Sequence, residues 1–213
     1  MRPYAWVLGL GLLLLPQGCD EDAREPERAG EEEGPPAPPA EAQAEAGDAK
    51  EQALERARTG ARTLGQTLKG RLLAAMEEGG APRAMEVCAD EAQQLARGAA
   101  ERTGTTVGRS SLRLRNPDNA PPDWVRDWLV DQGERKADGV EGFARVESAE
   151  DGEVARVLVP IAVEGPCVSC HGPREELSPE VRALLDARYP EDEAVGYGAG
   201  DLRGALYAEA PVR

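Results

Sequence analysis

The stretch GPCVSCHG, Gly165 to Gly172, contains Cys167 and Cys170, two of the chain's four cysteines, and places its only histidine, His171, directly behind them. C-x-x-C-H is the spacing at which a polypeptide attaches haem. Two thiols one tight turn apart can add to the two vinyl groups on one edge of a porphyrin, and the following residue sets an imidazole under the iron. Pro166 on one side and Gly172-Pro173 on the other make the segment a turn whose backbone can approach a ring. A dithiol redox pair needs no histidine and opens a helix at its first cysteine, which Gly172-Pro173 interrupts. A structural zinc ion needs four ligands, and the adjacent Cys170 and His171 could hardly share one tetrahedral metal. The reading is one covalent haem c, with thioethers at Cys167 and Cys170 and His171 as an axial ligand. A disulfide or thiol-redox pair is the alternative.

With no second histidine, the candidates for the other face of the iron are Met76, Met85 and Cys88. Met85 and Cys88 stand three apart on one helix face, so spacing does not choose between them. The choice matters chemically: a thiolate stabilises ferric iron and lowers the potential, whereas a thioether raises it. The ordinary fate of a single cysteine like Cys88 is a small buried apolar residue. In an oxidising compartment a free thiol is a liability, which favours a protected, functional role.

These residues need elements to hold them. Leu54, Ala57, Ala61, Leu64, Leu68, Leu72 and Met76 recur at three- and four-residue steps, predicting a long helix from near Asp48 that ends at Gly79-Gly80. Pro82 suits the first turn of a second helix, in which Met85, Cys88, Ala92, Leu95 and Ala99 share a face before Gly104. The strict alternation Ser111-Leu-Arg-Leu-Arg115 predicts a half-buried strand, with Arg113 and Arg115 on one side. A loop from Asn116 then leads into a short helix with Trp124, Val125, Trp128 and Leu129 facing one way. Further strands are expected over Val140–Glu147, Glu153–Val163 and Asp201–Ala210, the middle one carrying Pro160 at an edge or bulge. A last helix covers Ser178–Tyr189. Helices first, then strands with helices between, imply an α+β domain around an antiparallel sheet over 48–213.

The start of the chain reads differently. Met1-Arg2 and the apolar run from Ala5 to Leu15 form an export signal over 1–18, too short for the ~20 residues of a membrane span. It ends in Leu-Pro-Gln-Gly before Cys19, a site suited to lipidation of that cysteine. The alternative is ordinary cleavage leaving a soluble exported protein. The segment 19–47 is an acidic, Pro-rich tether with almost nothing to bury, expected to be disordered. The expected location is periplasmic, lipid-anchored to a membrane.

The formal charge is -15, and both the tether and the folded part are acidic. That argues against nucleic acid and against an anionic membrane face as partners, leaving the lipid as the membrane contact and a basic protein surface or a small molecule as partner.

VGRSSLRLRNPDNAPPDW (Val107 to Trp124), CVSCHG and GYGAGDLRGALYAE (Gly196 to Glu209) together resemble a family of periplasmic c-type haem sensor domains with a PAS-like fold, catalogued as a domain of unknown function. The resemblance covers roughly Leu54 to Val212. It implies a PAS-like sheet flanked by the long N-terminal helix, haem held through Cys167, Cys170 and His171, and Cys88 of the AMEVCAD-like helix as the second axial ligand. Arg113 and Arg115 are candidate contacts for haem propionates, with solvent-facing arginines as the ordinary outcome; Arg203 is a similar case. Trp124 and Trp128 are expected in the core.

Two functions fit. One is a redox or ligand sensor in which a change at the iron makes or breaks the bond to Cys88 and moves the second helix, read by a separate signalling or redox partner. The other is a small electron-transfer cytochrome. An enzyme of the peroxidase kind needs an open distal site with acid–base groups, and no distal histidine exists, so the expectation is a non-enzyme.

Overall fold

The computed structural model describes residues 40–213, so the export signal, Cys19 and most of the tether lie outside the described residues. The described residues open with a long helix, α1 (Ala40–Glu86), which includes the last eight residues assigned to the tether. The reason is local. AEAQAEAG alternates alanine with glutamate and glutamine, among the best helix formers, once the prolines of 35–39 are past. The predicted break is present: Gly79 and Gly80 leave helical geometry, and Gly80 sits at φ 68°, ψ -160°, where only glycine is at ease. The helix resumes through Pro82.

A π turn, Val87–Glu91, separates this stretch from α2 (Ala92–Thr103), which Gly104 caps. There the Ala92 amide donates to the Val87 carbonyl five residues back, one more than in an α-helix. The strand β1 (Thr106–Ser110) lies five residues before the predicted one, and 111–115 is irregular. The alternation of Ser-Leu-Arg-Leu-Arg has another cause. The Ser111 hydroxyl binds both the amide and the carbonyl of Arg113 at 3.0 Å, folding the segment onto itself.

The chain continues through α3 (Asp123–Gln132), β2 (Phe143–Ala149), β3 (Gly152–Ala162), a one-turn helix α4 (Val168–His171), α5 (Pro179–Arg188) and β4 (Leu202–Pro211). The four strands form one antiparallel sheet in the order β1-β4-β3-β2. An α+β domain with a long N-terminal helix on an antiparallel sheet is therefore what the chain builds. Pro160 belongs to an interior strand, but β2 pairs with β3 only as far as Leu158, and a bulge follows at Ile161/Ala162. Its missing N–H thus falls where one ladder has already ended.

Small side chains let α1 lie close to the sheet: Ala53, Ala57 and Ala61 pack on Ala155, Val157, Ala208 and Ala210. On the opposite face, Val125 and Leu129 of α3 pack with Leu158 and Ala205, joined by Trp124, Trp128, Phe143 and Tyr207. Both tryptophans are core residues, as expected. Across the Gly79-Gly80 break, Ala75 meets Ala84 and Val87, and Met85 packs on Leu177, Val181 and Leu185.

Candidate functional site

Gly165–Cys167 forms a 3-10 turn that runs into the single turn of α4, so Cys167 and Cys170 stand one turn apart and His171 closes the turn. The Gly172 amide donates to the Val168 carbonyl at 2.8 Å, and Gly172-Pro173 ends the helix as the sequence predicts. A distant strap then fixes the motif from outside. The Gly196 and Tyr197 amides donate to the carbonyls of Gly172 (2.7 Å) and His171 (2.8 Å), and the Tyr197 ring meets the imidazole edge-on at 6.4 Å.

The same strap sets the tautomer. His171 Nδ1 lies 2.6 Å from the Ala194 carbonyl, which can only accept, so Nδ1 carries the proton and Nε2 keeps its lone pair. Burial, aided by the charges of Arg115, Arg203 and Arg109, holds this imidazole well below its ordinary pKa and therefore neutral. A neutral imidazole with a free Nε2 and a carbonyl behind Nδ1 is the form that ligates a metal.

A cavity of about 760 Å³ lies beside it, between α1, the π turn and one end of the sheet, a volume suited to a small-molecule or cofactor site. Cys167, Cys170 and His171 line it, and so do Met76, Met85 and Cys88. The six sulfur and imidazole groups considered for haem are thus gathered on one space. Cys88 sits in the π turn, half-buried. Met85 is 3% exposed within a packed cluster, its Sδ 3.5 Å from an Arg115 Nη1. Cys88, Cys167 and Cys170 are free thiols. Burial pushes the Cys170 thiol up to about 11 against the pull of Arg115, the reverse of the lowered pKa that a reactive redox cysteine needs. Among the described residues no cluster of three or more His, Cys, Asp or Glu side chains could hold a bare metal ion.

The arginines differ from expectation. Arg113 and Arg115 do not share a strand face, because no strand exists there. Arg113 is absent from the cavity wall. It donates to the carbonyls of Glu193 (3.0 Å) and Val195 and stacks 4.3 Å over the Tyr197 ring. Arg115 reaches the wall but pairs with Asp192 at 3.1 Å, and donates to the carbonyls of Cys170 (2.6 Å) and Ala194 (3.2 Å). Both therefore brace the motif and its strap, and neither is the solvent-facing strand arginine that was the ordinary expectation. The strap at 194–197 was missed as the element that orients His171, although Gly196 and Tyr197 begin one of the three resembling motifs. Arg109 of β1, which also lines the cavity, was missed altogether.

The Tll0287-like family model matches residues 41–211. Among solved structures, the crystal structure of the cyanobacterial heme-protein Tll0287 is similar in fold, with a TM-score of 0.52 at 24% sequence identity over 71% of this chain and 91% of that chain. Comparison with curated proteins gives no match. The family match takes in all four strands, the π turn, the C-x-x-C-H turn and the strap that binds it, and on that extent the chain belongs to the Tll0287-like family.

Proposed function

We propose that the chain is an exported haem-binding sensor domain of PAS-like fold, holding one haem c through Cys167 and Cys170 with His171 and Cys88 as axial ligands. The observation that carries this reading is a neutral imidazole, its Nδ1 held by a carbonyl and its Nε2 left free, on a cavity also lined by three free thiols. When bound, haem supplies a one-electron couple and a coordination site that can exchange ligands. The chain's own residues do the rest. The Ala194 carbonyl keeps the Nδ1 proton in place, and the raised Cys170 pKa protects that thiol from adventitious oxidation before attachment. The π turn supports Cys88 over Met85, since such turns recur at functional sites, while Met85 is committed to packing.

Sensing on this reading is a change in the Cys88 bond that moves the helix bearing it, relayed to a signalling or redox partner. The acidic surface suits a partner with a basic face. Export through 1–18 and a lipid on Cys19 would hold the domain at a periplasmic membrane surface, with 19–39 as spacer.

The test is spectroscopic. Protein matured with haem-attachment machinery is expected to be red, to retain pigment in acidified organic solvent, and to show low-spin ferric haem without the far-red band of methionine ligation. Cys88→Ala removes the thiolate signature and Cys88→Met creates the far-red band. A Cys88→Ala spectrum identical to the wild type assigns the ligand elsewhere. Rapid electron exchange with both axial bonds intact favours the electron-transfer alternative.

A further inference from the structure

A chain of net charge -15 lines its cavity with six basic side chains, Arg58, Arg62, Lys69, Arg109, Arg115 and Arg203, against one carboxylate, Glu164. Four of the six are partnered. Lys69 meets Glu164 at 2.6 Å, Arg62 and Arg58 share Glu55 at 3.1 and 4.0 Å, and Arg115 holds Asp192. Arg109 and Arg203 have no ion pair among the described residues. The Arg203 Nε is buried without any hydrogen-bond acceptor. Its Nη1 donates to the Arg113 carbonyl at 3.1 Å, and the guanidinium stands 5.3 Å from the centre of the Tyr197 ring. An unpaired buried cation with an orphaned N–H is costly, so this arrangement makes sense when an anion completes it.

The backbone shows that Arg203 is aimed rather than stranded. In the β3–β4 ladder Ile161 faces Gly204 while Ala162 faces Leu202, so Arg203 is the surplus residue of a β-bulge. Bulges of this kind re-aim a side chain. Gly204 beside it has φ 158°, and a Cβ there would stand 2.1 Å from the Ser110 carbonyl, so β4 lies pressed against the end of β1. Arg109, on β1, is register partner to Leu206, another cavity-lining residue. Two guanidiniums without an ion pair, from adjacent strands, thus line one largely apolar space. Asp192, the carboxylate that acts on Arg203 from a distance, is taken by Arg115.

We infer that Arg203, assisted by Arg109, receives the carboxylates of the cavity's ligand through its bulge-directed guanidinium fork. The inference rests on the haem reading above, under which those carboxylates are the propionates of the porphyrin. A planar fork with an unused Nε–H suits bidentate carboxylate binding. A carboxylate or phosphate from solution has the same chemistry, and the test separates the two sources.

The experiment compares matured holoprotein as wild type, Arg203→Gln, Arg203→Lys and Arg109→Gln, reading the midpoint potential and the propionate bending band of the resonance Raman spectrum. Arg203→Gln is expected to keep covalent haem and its axial-ligand bands, to shift the propionate band to lower frequency, and to lower the potential. Arg203→Lys holds the potential nearer the wild type but still moves the band, since charge is kept and the fork is lost. Arg109→Gln moves both readouts the same way, by less. A potential that falls in Arg203→Gln with an unmoved propionate band overturns the inference, because a charge acting through space would do that. So does a wild-type potential that saturates with added phosphate or acetate and loses this response in Arg203→Gln, which would put a solution anion at the site. If Arg203→Gln fails to accumulate, the band in Arg203→Lys decides alone. Colourless wild-type protein defeats the haem reading itself, whereas red protein with an unmoved band defeats only the role of Arg203.

Discussion

Arg115 and Asp192 form the most deeply buried ion pair among the described residues, with side chains 8% and 1% exposed. The guanidinium is shared: besides Asp192 it serves the carbonyls of Cys170 and Ala194, tying the attachment turn to the strap that orients His171. Asp192 also accepts from the Ala194 amide at 2.9 Å, so one carboxylate sets both the arginine and the carbonyl behind the imidazole. Removing one partner of a buried pair leaves an uncompensated charge. Asp192→Ala is therefore expected to destabilise the protein by ~3–5 kcal/mol in urea unfolding. It should also broaden the His171 ligation signature, which a purely remote loss of stability would leave sharp. At this scale the sequence was informative where chemistry is contiguous. Cys167, Cys170 and His171 are neighbours in the chain and were read together, whereas Asp192 and Ala194 reach the same turn from over twenty residues away, with nothing local to announce it.

Arg156, on β3, sits directly opposite Glu209 of β4 and bonds it at 2.7 Å, bonds Glu147 of β2 at 2.8 Å, and lies 5.0 Å over the Trp124 ring. One arginine thus laces three strands and caps the α3 core. Burial pushes Glu147 up, but the guanidiniums of Arg156 and Arg145 more than offset it, so its carboxyl is held below the usual range. A depressed carboxyl pKa contributes stability that is present above the unfolded value near 4.5 and is lost as pH falls through the folded value. Arg156→Gln should accordingly cost about 0.5–1 kcal/mol at pH 7 and lessen the further loss of stability below pH ~4.5, measured by urea midpoints across that range. Elements were legible in the sequence where a local period decides them. The stripe of α1, the Gly79-Gly80 break, α3, α5 and the spans of β3 and β4 emerged within a few residues. β1 did not, because Ser111–Arg115 alternates for reasons that lie elsewhere: its arginines are held by the carbonyls of residues 193–195 and by Asp192. The π turn was equally hidden, because Met85, Cys88, Ala92, Leu95 and Ala99 already run in three- and four-residue steps, although the buried Val87 and Ala92 stand five apart across it.

Taken as one molecule, the chain is acidic outside and cationic around its cavity. That arrangement draws an anionic, apolar ligand inward and leaves the exterior to repel like-charged neighbours. The cavity also stands where separate parts of the chain meet: α1, the turn bearing Cys88, the C-x-x-C-H turn and one end of the sheet all contribute to its wall. Chain length is constrained unevenly as a result. Shortening an ordinary helix by one residue spins everything downstream by about 100°, which at Ala96 would carry Ala99 out of the interior. Val87–Glu91 already contains a supernumerary residue, so excising Ala89 would let the segment settle into ordinary winding with Ala92 and Ala99 still facing inward. Thermal unfolding should show the Ala89 deletion much better tolerated than one at Ala96. The spare residue is then best understood as slack in the tether of a thiol, something the scaffold can lose and still be a scaffold.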